Sequence, residues 1–155
     1  NIQRSVLFPY NRSTGIYRCP ADKSSVVGSG TPRTRSYNMS ISLNCDSAPG
    51  SYVKQTDIVA PMPAGLFVLI DTHEDDIWDS TFGIFSPGSY WKDYWLDLPA
   101  NRHEQGANLS FADGHVEHWR WRAPKLFRSI WQHADDGGDL RDLRRLQECV
   151  KPDLN

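Results

Sequence analysis

The sequence predicts an α+β fold, a small antiparallel β-sheet followed by a helical C-terminal tail. Three observations carry this expectation. Asp113-Gly114 stands between two alternating runs, and Asp-Gly is the preferred pair for a two-residue type I′ hairpin turn, whose central residues both need positive φ. Gly65 to Ile70 is the most apolar run in the chain; its length and branched content predict a central strand buried on both faces. Leu140, Leu143, Leu146 and Val150 recur at helical spacing in the tail.

The bounds set by composition agree with this. A chain of 155 residues supports a single core, here divided into a head over 1–125 and a helical extension over 126–155 packed on it. Hydrophobic residues make up 39% and the mean hydropathy is -0.57, and no run approaches the roughly 20 apolar residues that span a bilayer. A net charge of -2 gives no electrostatic reason to expect nucleic acid or an anionic membrane as partner. Eleven glycines and ten prolines suit a loop-rich sheet better than a helical bundle.

Taken in order, Val6 to Tyr10 is a short apolar patch and Ile16 to Arg18 a short strand entering Cys19-Pro20. Residues 23–35, rich in Ser, Gly, Pro and Thr, read as an exposed loop. From Ser36 to Asn44, Tyr37, Met39, Ile41 and Leu43 alternate with polar neighbours, a strand with those four on its buried face. The central strand ends at Asp71, where the composition turns acidic through Asp76. Residues 77–101 mix aromatics with Gly and Pro and form an irregular crossing over the sheet.

In the hairpin 108–119, a turn at Asp113-Gly114 alone pairs Ala112 with His115, Phe111 with Val116, Ser110 with Glu117 and Leu109 with His118. Leu109, Phe111, Val116 and His118 then share the inward face, and Asn108, Ser110, Glu117 and Trp119 the outward one. His118 is expected to be a core histidine with one hydrogen-bond partner. In the tail, Leu126 to His133 and Gly138 to Val150 each read as a short helix.

The chemistry-bearing residues suggest a constellation. His103 precedes the hairpin, Asp113 and His115 flank its turn, and Asp71 and His73 end the central strand. If the two strands are neighbours with these ends on one edge, the five side chains converge as ligands for a divalent cation. Acidic oxygens suit calcium, and imidazoles with a carboxylate suit zinc. The competing expectation is a scaffold in which Asp113 only makes the turn and His103 only hydrogen-bonds its loop. His115-Val116-Glu117-His118 is no metalloenzyme motif, since residues three apart on a strand point to opposite faces. The chain has no nucleophile elbow, phosphate loop or dinucleotide fingerprint, so the residues give no catalytic constellation.

Two further sets stand out. The six tryptophans lie between Trp78 and Trp131, and Tyr90, Trp91, Tyr94, Trp95, Trp119 and Trp121 form either a platform that stacks on sugar rings or a second core layer. Among three cysteines there is no Cys-x-x-Cys pair. An oxidising compartment favours a Cys19–Cys45 bridge with Cys149 left over; three unpaired thiols are the other arrangement.

His103, nine intervening residues and Asp113-Gly114 together resemble the H-X9-DG signature of prepilin-type processing-associated proteins, relatives of type II secretion pseudopilins and type IV pilins. Tyr17-Arg18-Cys19-Pro20-Ala21-Asp22, Ser36-Tyr37-Asn38-Met39-Ser40 and the run ending Leu69-Ile70-Asp71 fit the same family in the same order. The likeness covers roughly residues 5–122. It implies a pilin-like head, a structural subunit of a secretion or surface filament system. Such a subunit is extracytoplasmic, in the periplasm or at the cell surface, with other pilin-like subunits or secretion components as partners. The family's Phe-Thr-Leu-Ile-Glu stem is missing from this chain. Any membrane anchorage is therefore expected through a stem in a longer precursor. The alternative function is a carbohydrate-binding or metal-dependent carbohydrate-active protein, with polysaccharide as partner.

Overall fold

The structure is a computed structural model that describes residues 2–135 and 137–154. It is an α+β arrangement. Tyr37–Ser40 (β1), Phe67–Asp71 (β2), Thr81–Phe82 (β3), Gly106–Phe111 (β5) and Val116–Arg120 (β6) form a sheet in the order β3-β1-β2-β5-β6, while Tyr94–Trp95 (β4) and Gln132–His133 (β7) pair separately. The larger sheet is mixed, not purely antiparallel, because β1 and β3 run parallel. The connection between β1 and β3 passes through β2, so β3 returns in the direction of β1. Of the two expected tail helices only Gly138–Gln147 forms; Leu126 to His133 is irregular chain ending in β7. Among the described residues no helix is long and apolar enough to cross a membrane.

The hairpin forms, but one residue out of the expected register. Asn108 faces His118, Leu109 faces Glu117 and Ser110 faces Val116. The loop has three residues, Ala112, Asp113 and Gly114, of which only Gly114 has positive φ, at 96°. Phe111 N–H donates to the His115 carbonyl at 3.0 Å, and Gly114 N–H to the Phe111 carbonyl at 2.9 Å. A slip of one residue exchanges the faces of a strand. Trp119 and Trp121 are thereby buried, while Val116 is 67% exposed and His118 is exposed. The energetic reason is area: an indole buries far more apolar surface than a valine or an imidazole.

The alternation of β1 is also inverted. Asn38, Ser40 and Ser42 are buried, whereas Tyr37, Met39, Ile41 and Leu43 are only half-buried. Most of the buried polar atoms find partners: Asn38 Nδ2 donates to the Thr81 carbonyl at 2.9 Å, and Ser42 Oγ accepts from Lys151 N–H at 2.9 Å, while Asn38 Oδ1 accepts no hydrogen bond among the described residues. Nor is β2 covered on both faces, for Leu69 is 38% exposed. The outer face of the sheet is thus apolar and partly open. Tyr37, Met39, Val68 and Leu69 floor a groove of about 730 Å³ walled by Ile2, Leu7 and Ile16.

The inner face packs under the C-terminal helix. Phe67, Ile70, Leu109 and Trp119 share one core with Leu143, Leu146 and Val150. Lys125, only 1% exposed, lies within this core region.

Candidate functional site

Antiparallel pairing of β2 with β5 sets the C-terminal end of β2 beside the start of β5. Asp71, the last residue of β2, therefore meets His103, which lies just before β5, with Nε2 and Oδ2 3.2 Å apart. Cys19 completes the group, its Sγ 3.2 Å from the same Nε2. The three ligand-type atoms all lie within 4.8 Å of one another. Cys19 and Asp71 are buried, at 1% and 0% exposure. His103 is partly open.

The chain strains to aim this histidine. His103, Glu104 and Gln105 all take positive φ, at 56°, 59° and 63°. Left-handed backbone costs an L residue roughly 1–2 kcal/mol, and runs of it persist only where neighbours over-determine them. Here Gln105 exchanges hydrogen bonds with Trp121, Nε2 donating to the Trp121 carbonyl at 3.0 Å and the Gln105 carbonyl accepting from Trp121 N–H at 2.8 Å. His118 Nε2 lies 3.0 Å from the His103 carbonyl oxygen. His118 thus braces the turn from outside the core.

Arg102 holds the other carboxylate oxygen. Its Nη2 donates to Asp71 Oδ1 at 3.0 Å and to the Thr72 carbonyl at 2.9 Å, and its Nη1 to Glu74 Oε2 at 3.0 Å; Asp22 stands 3.9 Å away. Asp71 Oδ2 makes no hydrogen bond of usable geometry among the described residues. An unpaired buried acceptor costs about 1–3 kcal/mol.

On the opposite side, Cys19 N–H donates to Ser36 Oγ at 3.1 Å and Ser36 Oγ to Asp22 Oδ2 at 2.5 Å. Burial works against the Asp22 carboxylate, but the hydrogen bonds from Ser36 and Ser24 hold its pKa below the usual range. Burial, then the charge of Asp71, pushes the Tyr37 hydroxyl up; it stays protonated beside Cys19.

Of the five expected cation ligands, the fold therefore unites Asp71 and His103 and separates the rest. A six-residue β5 spans roughly 20 Å, so Asp113 and His115 sit at the far end of the hairpin. There His115 Nδ1 contacts Asp113 Oδ1 at 2.5 Å and the ring stacks on Phe111 at 4.3 Å. The bond to Asp113 raises the pKa of His115. His73 turns away to accept from Asp75 N–H at 3.2 Å and to stack on Phe127; burial lowers its pKa and keeps it neutral. Of the two arrangements expected for the cysteines, a Cys19–Cys45 bridge or three unpaired thiols, the structure has the second, with Cys45 Sγ lying 3.2 Å from Ser47 Oγ. Nothing in the sequence alone joined Cys19 to His103, which lies 84 residues away.

The aromatic set divides between the two arrangements expected for it. Trp95, Trp119 and Trp121 are core residues. Tyr90, 88% exposed, and Trp91 remain at the surface with Tyr94 and Trp131, packed edge to face or tilted.

The geometry limits the chemistry at Cys19. A relay triad needs one imidazole nitrogen toward the nucleophile and the other toward the acid, whereas Nε2 of His103 faces both. With its sulfur enclosed, Cys19 is also closed to a substrate. What the arrangement does offer is a thiol, an imidazole and a carboxylate oxygen gathered around one point. Comparison with protein-family models, with curated proteins and with solved structures returns no match.

Proposed function

We propose that this chain is the head of an extracytoplasmic pilin-like or pseudopilin subunit of a secretion or surface filament system. One observation carries the reading. The separate stretches that resemble the H-X9-DG proteins meet in a single polar knot, joined by hydrogen bonds among Cys19, Asp22 and Ser36 and by close contacts of His103 with Cys19 and Asp71. The nine-residue spacing has a matching physical sense, since the length of β5 and its turn separates His103 from Asp113-Gly114. Support also comes from the outer sheet face. It is apolar where a solvated face would be polar, and Ile2 and Ser5 already line its groove. A stem helix entering from the N-terminal side would cover it.

The test is the coding sequence upstream of Asn1 together with fractionation of the full gene product. A Phe-Thr-Leu-Ile-Glu-type stem, and recovery in a sheared filament or inner-membrane assembly fraction, are expected. A secretory signal alone would overturn the reading. In that case the exposed Tyr90, Trp91 and Trp131 surface favours the carbohydrate-binding alternative, which a glycan array would test.

A further inference from the structure

We propose that Cys19, Asp71 and His103 bind one zinc ion through Sγ, Oδ2 and Nε2. The site follows from the geometry and stands independently of the pilin-like reading. Tetrahedral zinc with its usual bond lengths to S, N and O places neighbouring ligand atoms about 3.4–3.6 Å apart. Nε2 lies 3.2 Å from both Sγ and Oδ2, and all three atoms lie within 4.8 Å of one another, so the two pairs that share Nε2 need only a few tenths of an ångström of expansion.

Asp71 Oδ2 supplies a second observation. It is a fully buried carboxylate oxygen with no hydrogen bond, next to the thiol and the imidazole. Arg102 engages Oδ1 alone, which orients the carboxylate and leaves Oδ2 for the ion, as an outer-shell partner does. The local charge favours a dication, since the carboxylates of Asp22, Asp71 and Glu74 surround the single guanidinium of Arg102. Sulfur selects the metal: calcium and magnesium take oxygen ligands, while a thiolate with imidazole suits zinc. On binding, the Cys19 thiol gives its proton to solvent and its sulfur lone pair forms the bond to zinc. With three protein ligands, the fourth position is left to water.

The experiment titrates chelator-stripped protein with zinc alone, by calorimetry and elemental analysis, and repeats it with cobalt(II). One equivalent of zinc is expected, together with a thiolate-to-cobalt charge-transfer band in the near ultraviolet. Cys19→Ser and His103→Gln should each weaken binding by more than the 10–100-fold that loss of an outer-shell partner causes. Cys149→Ser and His115→Gln should leave it unchanged, and calcium should not compete. Circular dichroism of each variant without metal separates lost ligation from lost folding. If Cys19→Ser does not fold, His103→Gln and the cobalt band decide. Absence of stoichiometric zinc, a cobalt complex without the thiolate band, or full affinity in a folded Cys19→Ser or His103→Gln variant would overturn the proposal.

Discussion

Lys125 and Asp142 form an ion pair inside the core, with Nζ 2.7 Å from Oδ2 and side-chain exposures of 0% and 3%. The same ammonium donates to Asp139 Oδ1 at 2.8 Å and lies over the rings of Trp95 and Trp121. Both aspartates belong to the C-terminal helix, so one lysine ties that helix to the irregular chain after β6. Removing one partner from a buried ion network leaves an uncompensated charge. Lys125→Met is expected to lower stability by about 3–5 kcal/mol, read from urea midpoints. A loss below about 1 kcal/mol would show that the other hydrogen bonds to Asp139 and Asp142 suffice without the cation.

The two ends of β5 need glycine for different reasons. A Cβ on Gly106 would collide with the Trp119 carbonyl oxygen and lie 2.7 Å from His118 Nε2. At Gly114 a side chain meets nothing, and only the positive φ resists it. Gly114→Val is therefore expected to cost about 1–3 kcal/mol from backbone strain. Gly106→Ala, although a smaller change, should cost more, because the left-handed turn and β6 must both shift. Chemical unfolding of the two variants checks the order.

Burial raises the pKa of Asp97 to about 7 and that of Asp76 to about 6, against an ordinary value of 3.8. Between the ordinary and the raised values the native state holds more protons than the unfolded chain. The stabilising contribution is then full below about pH 4 and is lost as pH rises through 6 and 7. His73 acts in the opposite sense, since its lowered pKa favours folding as pH rises towards its ordinary value of 6.5. The melting temperature should accordingly fall from pH 6.5 to pH 8. Asp97→Asn, which keeps an oxygen for the Gly83 N–H, should flatten that slope. An unchanged slope in the variant would assign it elsewhere.

The C-terminal helix is part of the core on its buried face, where Leu143 and Leu146 are 0% exposed. Leu146→Ala should destabilise the whole domain by about 2–5 kcal/mol, with one cooperative transition in calorimetry. Two transitions, or a loss confined to helical signal, would mean that the helix melts separately from the sheet.

What the sequence determined by itself is local. The hairpin, the central strand and the C-terminal helix were all legible, because each rests on a turn dipeptide or on a side-chain period within a dozen neighbours. Of the five residues expected to converge, the pairing of β2 with β5 brings together only Asp71 and His103. Tertiary structure decided the rest. The period of a strand fixes which residues share a face but not which face turns inward, so Ser40 and Trp119 are buried and Met39 and Val116 are not. Trp119 and Trp121 settle the hairpin by the area they bury, a quantity that exists only once the C-terminal helix is in place. Cys19 joins His103, and Lys125 joins Asp139 and Asp142, through loops whose path no periodicity describes. Desolvation makes the charged pairings specific: a buried carboxylate or ammonium is stable only beside its partner, and the fold alone chooses that partner.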